Sequence, residues 1–181
     1  LNAELANDLG NLLNRTLNMA RKYCGGKVPN INAQEIPAEN ALKAIGSNLA
    51  ERVAQAYESL AFSNATEAIF TLIRTGNKYI DEQAPWTLYK QGQQSAVEEV
   101  LYSVLESVRL AAYLLAPIIP NISNDIYHQL GFDTDFNKKT QIAAFDTFTS
   151  LGNWGTLPSS QTLGEPRPVF QRLELPATAL T

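Results

Sequence analysis

The stretch from about Ser95 to Ala116 limits the possible folds most. Val97, Leu101, Val104, Val108, Ala111 and Leu115 recur at three- and four-residue spacing along one helical face, and further apolar residues fill the rest of the second half. A helix that is apolar on almost every side has to be enclosed by other elements. Pro117 and Pro120 end or kink it, so the enclosing elements come from elsewhere in the chain. A first helix is expected over residues 2 to about 23, with Leu5, Leu9, Leu12, Leu13, Leu17, Ala20 and Tyr23 facing a core. Gly25 and Gly26 stop it, and a loop containing Pro29 and Pro37 follows. A second helix should start near Ala38 and bury Leu42, Ile45, Leu49, Val53, Ala56 and Leu60. Asn64, three residues before Glu67, approximates a capping box for a third helix that ends near Ile80, with a chain break from Glu82 to Trp86. A short fifth helix, capped by Asn121 or Ser123, runs through Leu130 to Gly131.

From Phe132 onward Gly, Pro, Ser and Thr replace the periodic pattern, and isolated aromatics remain. The reading is an all-α bundle of about five helices over residues 1–131, with an irregular C-terminal arm over 132–181 that packs on the bundle through Phe145, Phe148, Trp154 and Phe170.

The chain has 181 residues, enough for one medium domain with a sizeable core. Its net charge is −4, so broad attraction to a polyanion is not supported and any nucleic-acid partner must meet a local patch. Cys24 is the sole cysteine and His128 the sole histidine, which excludes an internal disulfide and a structural zinc ligand set. A reducing cytoplasm suits that usage, and no apolar run reaches the roughly 20 residues of a membrane span. Leu1, already inside a helical pattern, is what a fragment of a longer protein would show.

Catalytic chemistry has little to draw on. His128 sits near a helix end, where capping or packing is commoner, and Glu98 and Glu99 diverge by about 100° on a helix. Gly25-Gly26 lacks the strand and helix that a phosphate loop needs, and Cys24, despite its basic neighbours, has the setting of an inert helix-end thiol. Two features point elsewhere. The far side of the first helix carries Asn7, Asn11, Asn14, Arg15, Asn18 and Lys22, although Asn is a mediocre helix former. Side-chain amides beside a guanidinium suit the planar polar edges of nucleobases; equally, such a row can cap loops or face water. Trp86, after Pro85, either plugs the bundle or is held partly exposed as a stacking platform for an unstacked base.

Asn7-Asp8-Leu9-Gly10-Asn11-Leu12-Leu13-Asn14-Arg15 and Asn77-Lys78-Tyr79-Ile80-Asp81, leading into Ala84-Pro85-Trp86, resemble the anticodon-binding domain of methionyl-tRNA synthetase. Leu110 to Pro120, the Trp154-Gly155 turn and Leu163 to Arg172 extend the resemblance into the arm. It implies that Asn11, Arg15 and Trp86 contact a CAU anticodon, with Trp86 stacking on its first base and Asn7 on the same surface. It implies a tRNA(Met) anticodon stem-loop as partner, a catalytic domain joined in cis, and no membrane. Cofactors are expected to be absent from this fragment, with ATP, and in some members zinc, serving the catalytic half. That half's HIGH-like and KMSKS-like motifs are not in this sequence, and Val169 to Glu174 departs from the family's usual Leu-Phe-Pro-Arg-Ile pattern. Rival readings are the equivalent domain of another class I synthetase, a protein-binding helical module, and a self-sufficient enzyme.

Overall fold

The computed structural model of the chain describes residues 5–133 and 152–170, with residues 5–7 by backbone alone. The elements are a π-helical turn at Leu5–Gly10, α1 (Asn11–Cys24), α2 (Ala41–Gly46), α3 (Leu49–Glu58), α4 (Phe62–Gln83), α5 (Pro85–Lys90), α6 (Gln94–Leu115) and α7 (Pro120–Gln129). The all-α reading holds. Among the described residues five helices have ten or more residues, α1, α3, α4, α6 and α7, and two short ones join them.

α6 is the central helix, buried at every position from Val100 to Leu115. It packs against α1, α2, α4, α5 and α7, as its all-round apolar pattern requires. Four polar residues are buried on it, Ser103, Glu106, Ser107 and Arg109, and three of these, Ser103, Glu106 and Arg109, organise other parts of the chain. Ser103 Oγ accepts from Asn40 Nδ2 at 3.2 Å, and Tyr79 Oη on α4 accepts from the same nitrogen at 2.9 Å. Asn40 Oδ1 meanwhile caps α2 by accepting from the amides of Leu42 and Lys43.

Several boundaries differ from expectation. The expected second helix is two, α2 and α3, separated at Ser47-Asn48, and Leu60 is exposed rather than part of its core face. α4 begins at Phe62 with no side-chain cap, so Asn64 and Glu67 do not form a capping box. Glu67 instead binds Arg74 at 3.1 Å. α4 also runs on to Gln83, and a single residue, Ala84 in the left-handed region at φ 43°, turns the chain into α5. α7 starts at Pro120, whose missing N–H costs nothing at a first helical position. The first helix is not continuous either, because the π turn interrupts the 3.6-residue phase before Asn11.

The described part of the arm is fastened to the bundle by α6. Glu106 accepts from Arg109 through both carboxylate oxygens, each at 2.7 Å, and also from the amides of Gly155 (2.7 Å), Thr156 (3.2 Å) and Leu157 (3.0 Å). Arg109 Nη2 donates in turn to Asn153 O at 3.1 Å, and Tyr102 Oη to Leu157 O at 2.9 Å. Burial pushes the Tyr127 phenol up to about 12, with the Arg109 guanidinium opposing the rise, so it stays a neutral partner of Arg109. Trp154 is buried against Gly46, where a Cβ would lie 2.3 Å from its ring. Further along, Val28 N donates to Gln161 O and Leu163 N to Gly26 O, an isolated antiparallel bridge between Lys27 and Thr162. Phe170 is half-buried against the core, whereas Phe145 and Phe148 lie outside the described residues.

Glu106→Gln should cost about 3–5 kcal/mol of stability, because it leaves the Arg109 guanidinium buried without its counter-charge and replaces one of the two oxygens that accept from the arm amides by an NH2 group that cannot accept. Chemical unfolding measures the loss, and Trp154 emission should shift to the red as the arm loosens. A loss below about 1 kcal/mol would show that the arm is held by other contacts.

Candidate nucleic-acid interface

α1 and the C-terminal half of α4 lie side by side and set the geometry of the candidate site. Gly76 lets them approach: a Cβ there would stand 2.8 Å from Leu12 Cδ2. At the next residue Asn77 Nδ2 donates to Asp8 O, one turn before Leu12, at 3.0 Å, which fastens the π turn to α4. Toward the other end Arg15 Nη2 donates to Asp81 Oδ1 at 2.6 Å. The polar strip Arg74, Asn77, Lys78 and Asp81 therefore divides. Asn77 and Asp81 face α1, Arg74 binds Glu67, and Lys78 lies 3.5 Å from Glu82.

The asparagine row divides as well. Asn18 Nδ2 donates to both the backbone and the side-chain oxygen of Asn14 at 2.9 Å, so those two satisfy one another. Asn11 is exposed and its amide has no hydrogen bond to a described residue. Arg15, one turn on, has a half-exposed guanidinium whose remaining N–H groups are available beyond the one held by Asp81. The side chain of Asn7, in the π turn, lies outside the described residues.

Trp86 stands five residues beyond Asp81, at the second position of α5. Ala84 turns the chain, Pro85 is buried, and Trp86 is 36% exposed. It is therefore not the core plug that its sequence setting allowed. The two tryptophans divide the roles: Trp154 packs the arm, and Trp86 presents a face to solvent. Next to it Tyr89 stacks on Tyr23 of α1, with centroids 4.4 Å apart. The periodicity of α1 puts Tyr23 on the core side; in the structure it is half-buried and its ring meets Tyr89. The i, i+3 spacing of Trp86 and Tyr89 signals only that these two rings share a flank of α5; nothing local points to Tyr23.

Neither sequence candidate for chemistry gains a setting for it. His128 is exposed in the last turn of α7. Burial, reinforced by Glu98, pushes the Cys24 thiol up to about 11, opposite to any effect of its basic sequence neighbours. Among the described residues no three His, Cys, Asp or Glu side chains converge as a metal site, and no helix is long and apolar enough to cross a membrane.

A family model described as the anticodon binding domain of methionyl tRNA ligase matches residues 28–170. The chain belongs to that family. The match begins after α1, but whole-chain relatives include the first helix. Methionine--tRNA ligase of Synechocystis is 56% identical over 178 residues, covering 98% of this chain and 34% of that protein. The Nostoc ligase is 58% identical over 174 residues, covering 96% and 32%. The apo methionyl-tRNA synthetase of Mycobacterium tuberculosis superposes with a TM-score of 0.79 at 34% identity, over 97% of this chain and 34% of its own. The chain thus spans about a third of the length of the curated relatives it matches.

Cys24 should be poorly reactive. At pH 8 a thiol raised to about 11 holds far less thiolate than an ordinary cysteine, so alkylation by iodoacetamide should run at least about tenfold slower than for the urea-unfolded chain. Equal rates would mean that the end of α1 opens readily in solution.

Proposed function

We propose that this chain reads the CAU anticodon of tRNA(Met) for a methionine--tRNA ligase and forms that enzyme's C-terminal domain. One observation carries the reading: an exposed tryptophan, Trp86, follows the buried Pro85 five residues after Asp81, the partner of Arg15, with Asn11 open on the same helix as Arg15. Such a set offers a stacking face and directed polar edges, which a solvated helix face chosen for stability would not need. The partner is the tRNA(Met) anticodon stem-loop in the cytoplasm. The catalytic domain, joined in cis, uses ATP to attach methionine at the distant 3′ end, and any zinc belongs to that half.

Selection of cytosine follows from hydrogen-bond polarity. On its Watson–Crick edge cytosine offers two acceptors, the ring nitrogen and O2, beside one amino donor, whereas uracil has an N–H in place of the ring acceptor. Arg15 supplies only donors, and the Asn11 amide turns to offer a donor or an acceptor. Asp81 orients the guanidinium and holds one of its N–H groups, so the others define a donor-rich edge. Uracil would bring N–H against N–H and leave a partly buried donor unpaired, a penalty of about 1–3 kcal/mol. Asn7, on the π turn, is assigned to the margin of the same surface. The net charge of −4 implies few phosphate contacts and a shallow salt dependence.

Titration of CAU and UAU stem-loops at one salt concentration tests the reading. Trp86→Ala should cost about 1–3 kcal/mol of CAU binding. Arg15→Ala and Asn11→Ala should weaken CAU more than UAU. The Arg15 change should alter folding stability by less than about 1 kcal/mol, since its ion pair is exposed. Parallel losses for the two RNAs would make Arg15 and Asn11 positioning groups; no loss would return the asparagine face to simple solvation. The chain by itself should not support methionine-dependent pyrophosphate exchange, and measurable exchange free of contamination would favour the self-sufficient enzyme.

A further inference from the structure

Helix α5 presents more than one aromatic ring. At about 100° per residue, Leu88 and Pro85 fall on one side, followed around the helix by Tyr89, Trp86 and Lys90. Pro85 is buried and Leu88 half-buried against the core, so α5 is seated on α6 by that side. The adjoining flank carries the exposed Tyr89 (45%), Trp86 and Lys90. Pro85 and Leu88 already seat this six-residue helix on the core, yet two large aromatics on its flank keep much of their surface open.

Tyr89 is also braced. Tyr23, from the last turn of α1, covers one side of its ring at 4.4 Å and a 32° interplanar angle. Tyr23 is itself held in place, since Gln94 Nε2 donates to its carbonyl at 3.1 Å. The Lys22 ammonium lies 5.4 Å from the Tyr23 ring centroid and remains exposed. Tyr23 is eight residues beyond Arg15, about 12 Å along α1. Tyr89 is thus a ring backed on one side and 45% exposed, with a cation beside the tyrosine that backs it, a set that offers a nucleotide a face for its base and a charge for its phosphate.

We infer that Tyr89, backed by Tyr23, is a second stacking position that takes an unstacked loop nucleotide next to the one held by Trp86, with Lys22 meeting its phosphate. The inference rests on the anticodon reading above and extends it to a nucleotide other than the first anticodon base. Stacking is indifferent to base identity, so this position adds affinity and orients the loop while the Arg15 end discriminates. It also gives the ring pair a role at the α1–α5 contact: RNA bound there bridges both elements that carry the reading groups.

The test titrates a CAU stem-loop, and versions with each loop nucleotide made abasic in turn, against the chain and its Tyr89→Leu, Tyr89→Phe, Trp86→Ala and Lys22→Gln variants. Leucine keeps bulk against Tyr23 but has no π-face. Tyr89→Leu should weaken binding roughly five- to 150-fold, and Tyr89→Phe less than about twofold. One abasic position, distinct from the one coupled to Trp86, should weaken the parent chain but cost the Tyr89→Leu variant nothing further. Lys22→Gln should flatten the salt slope by about 0.7. If Trp86→Ala weakens binding while Tyr89→Leu does not, or if no abasic position couples to Tyr89, the second platform is refuted and the tyrosine pair only braces α5. An unchanged salt slope for Lys22→Gln would refute the phosphate contact. If neither Trp86→Ala nor Tyr89→Leu changes binding, the anticodon reading fails with it.

Discussion

The buried pair of Glu106 and Arg109 ties the two halves of the molecule together. Both side chains are at most 1% exposed, a costly place for charge unless every lone pair and donor is used. The arm makes that possible. Three consecutive amides from Gly155 to Leu157 donate to the Glu106 carboxylate, and the Asn153 carbonyl accepts from Arg109. Removing the arm would leave the central helix with an ion pair only partly satisfied; removing the pair would leave arm amides buried without acceptors. Bundle and arm thus stabilise each other through polar groups as well as through Trp154 and Leu157.

This anchoring at the middle of α6 leaves other surfaces to carry function. α1 and α5 are each fixed to α6 on one side, and α1 to the end of α4 by Leu12 against Gly76 and by Arg15 with Asp81. The polar and aromatic groups that face outward therefore stand on helices whose own positions are settled. Preorganisation of this kind reduces the ordering cost of binding. It also explains why an exposed ring is tolerated: Pro85 and Leu88 seat α5 on the core and Tyr89 meets Tyr23 of α1, so the Trp86 ring is not needed to bury the helix.

The outward face of α1 differs from a uniform row of readers. Asn14 and Asn18 bind one another, and Asn11 and Arg15 remain directed outward. Residue type alone could not separate these cases, because all of the asparagines share one angular sector and differ only in what stands beside them. The same holds for the strip on α4, where Asp81 turns to Arg15 while Lys78 stays with Glu82.

Periodicity by itself determined the helical class, the central position of α6 and most buried positions of α1 and α4, since a 3.6-residue apolar stripe has only one way to leave water. The family resemblance was legible in short motifs such as Asn11 to Arg15 and Ala84 to Trp86. Tertiary structure alone decided the rest. The buried Glu106 and Arg109, three residues apart on an apolar helix, have no sequence sign of the arm amides that satisfy them, because those partners lie about fifty residues away. Gly46 became essential only because Trp154 lies across it, and Trp86 faces solvent only because α4 continues to Gln83 and Ala84 turns the chain before Pro85. Local pattern specifies which face of an element is buried, but which distant group meets that face depends on how the elements are brought together.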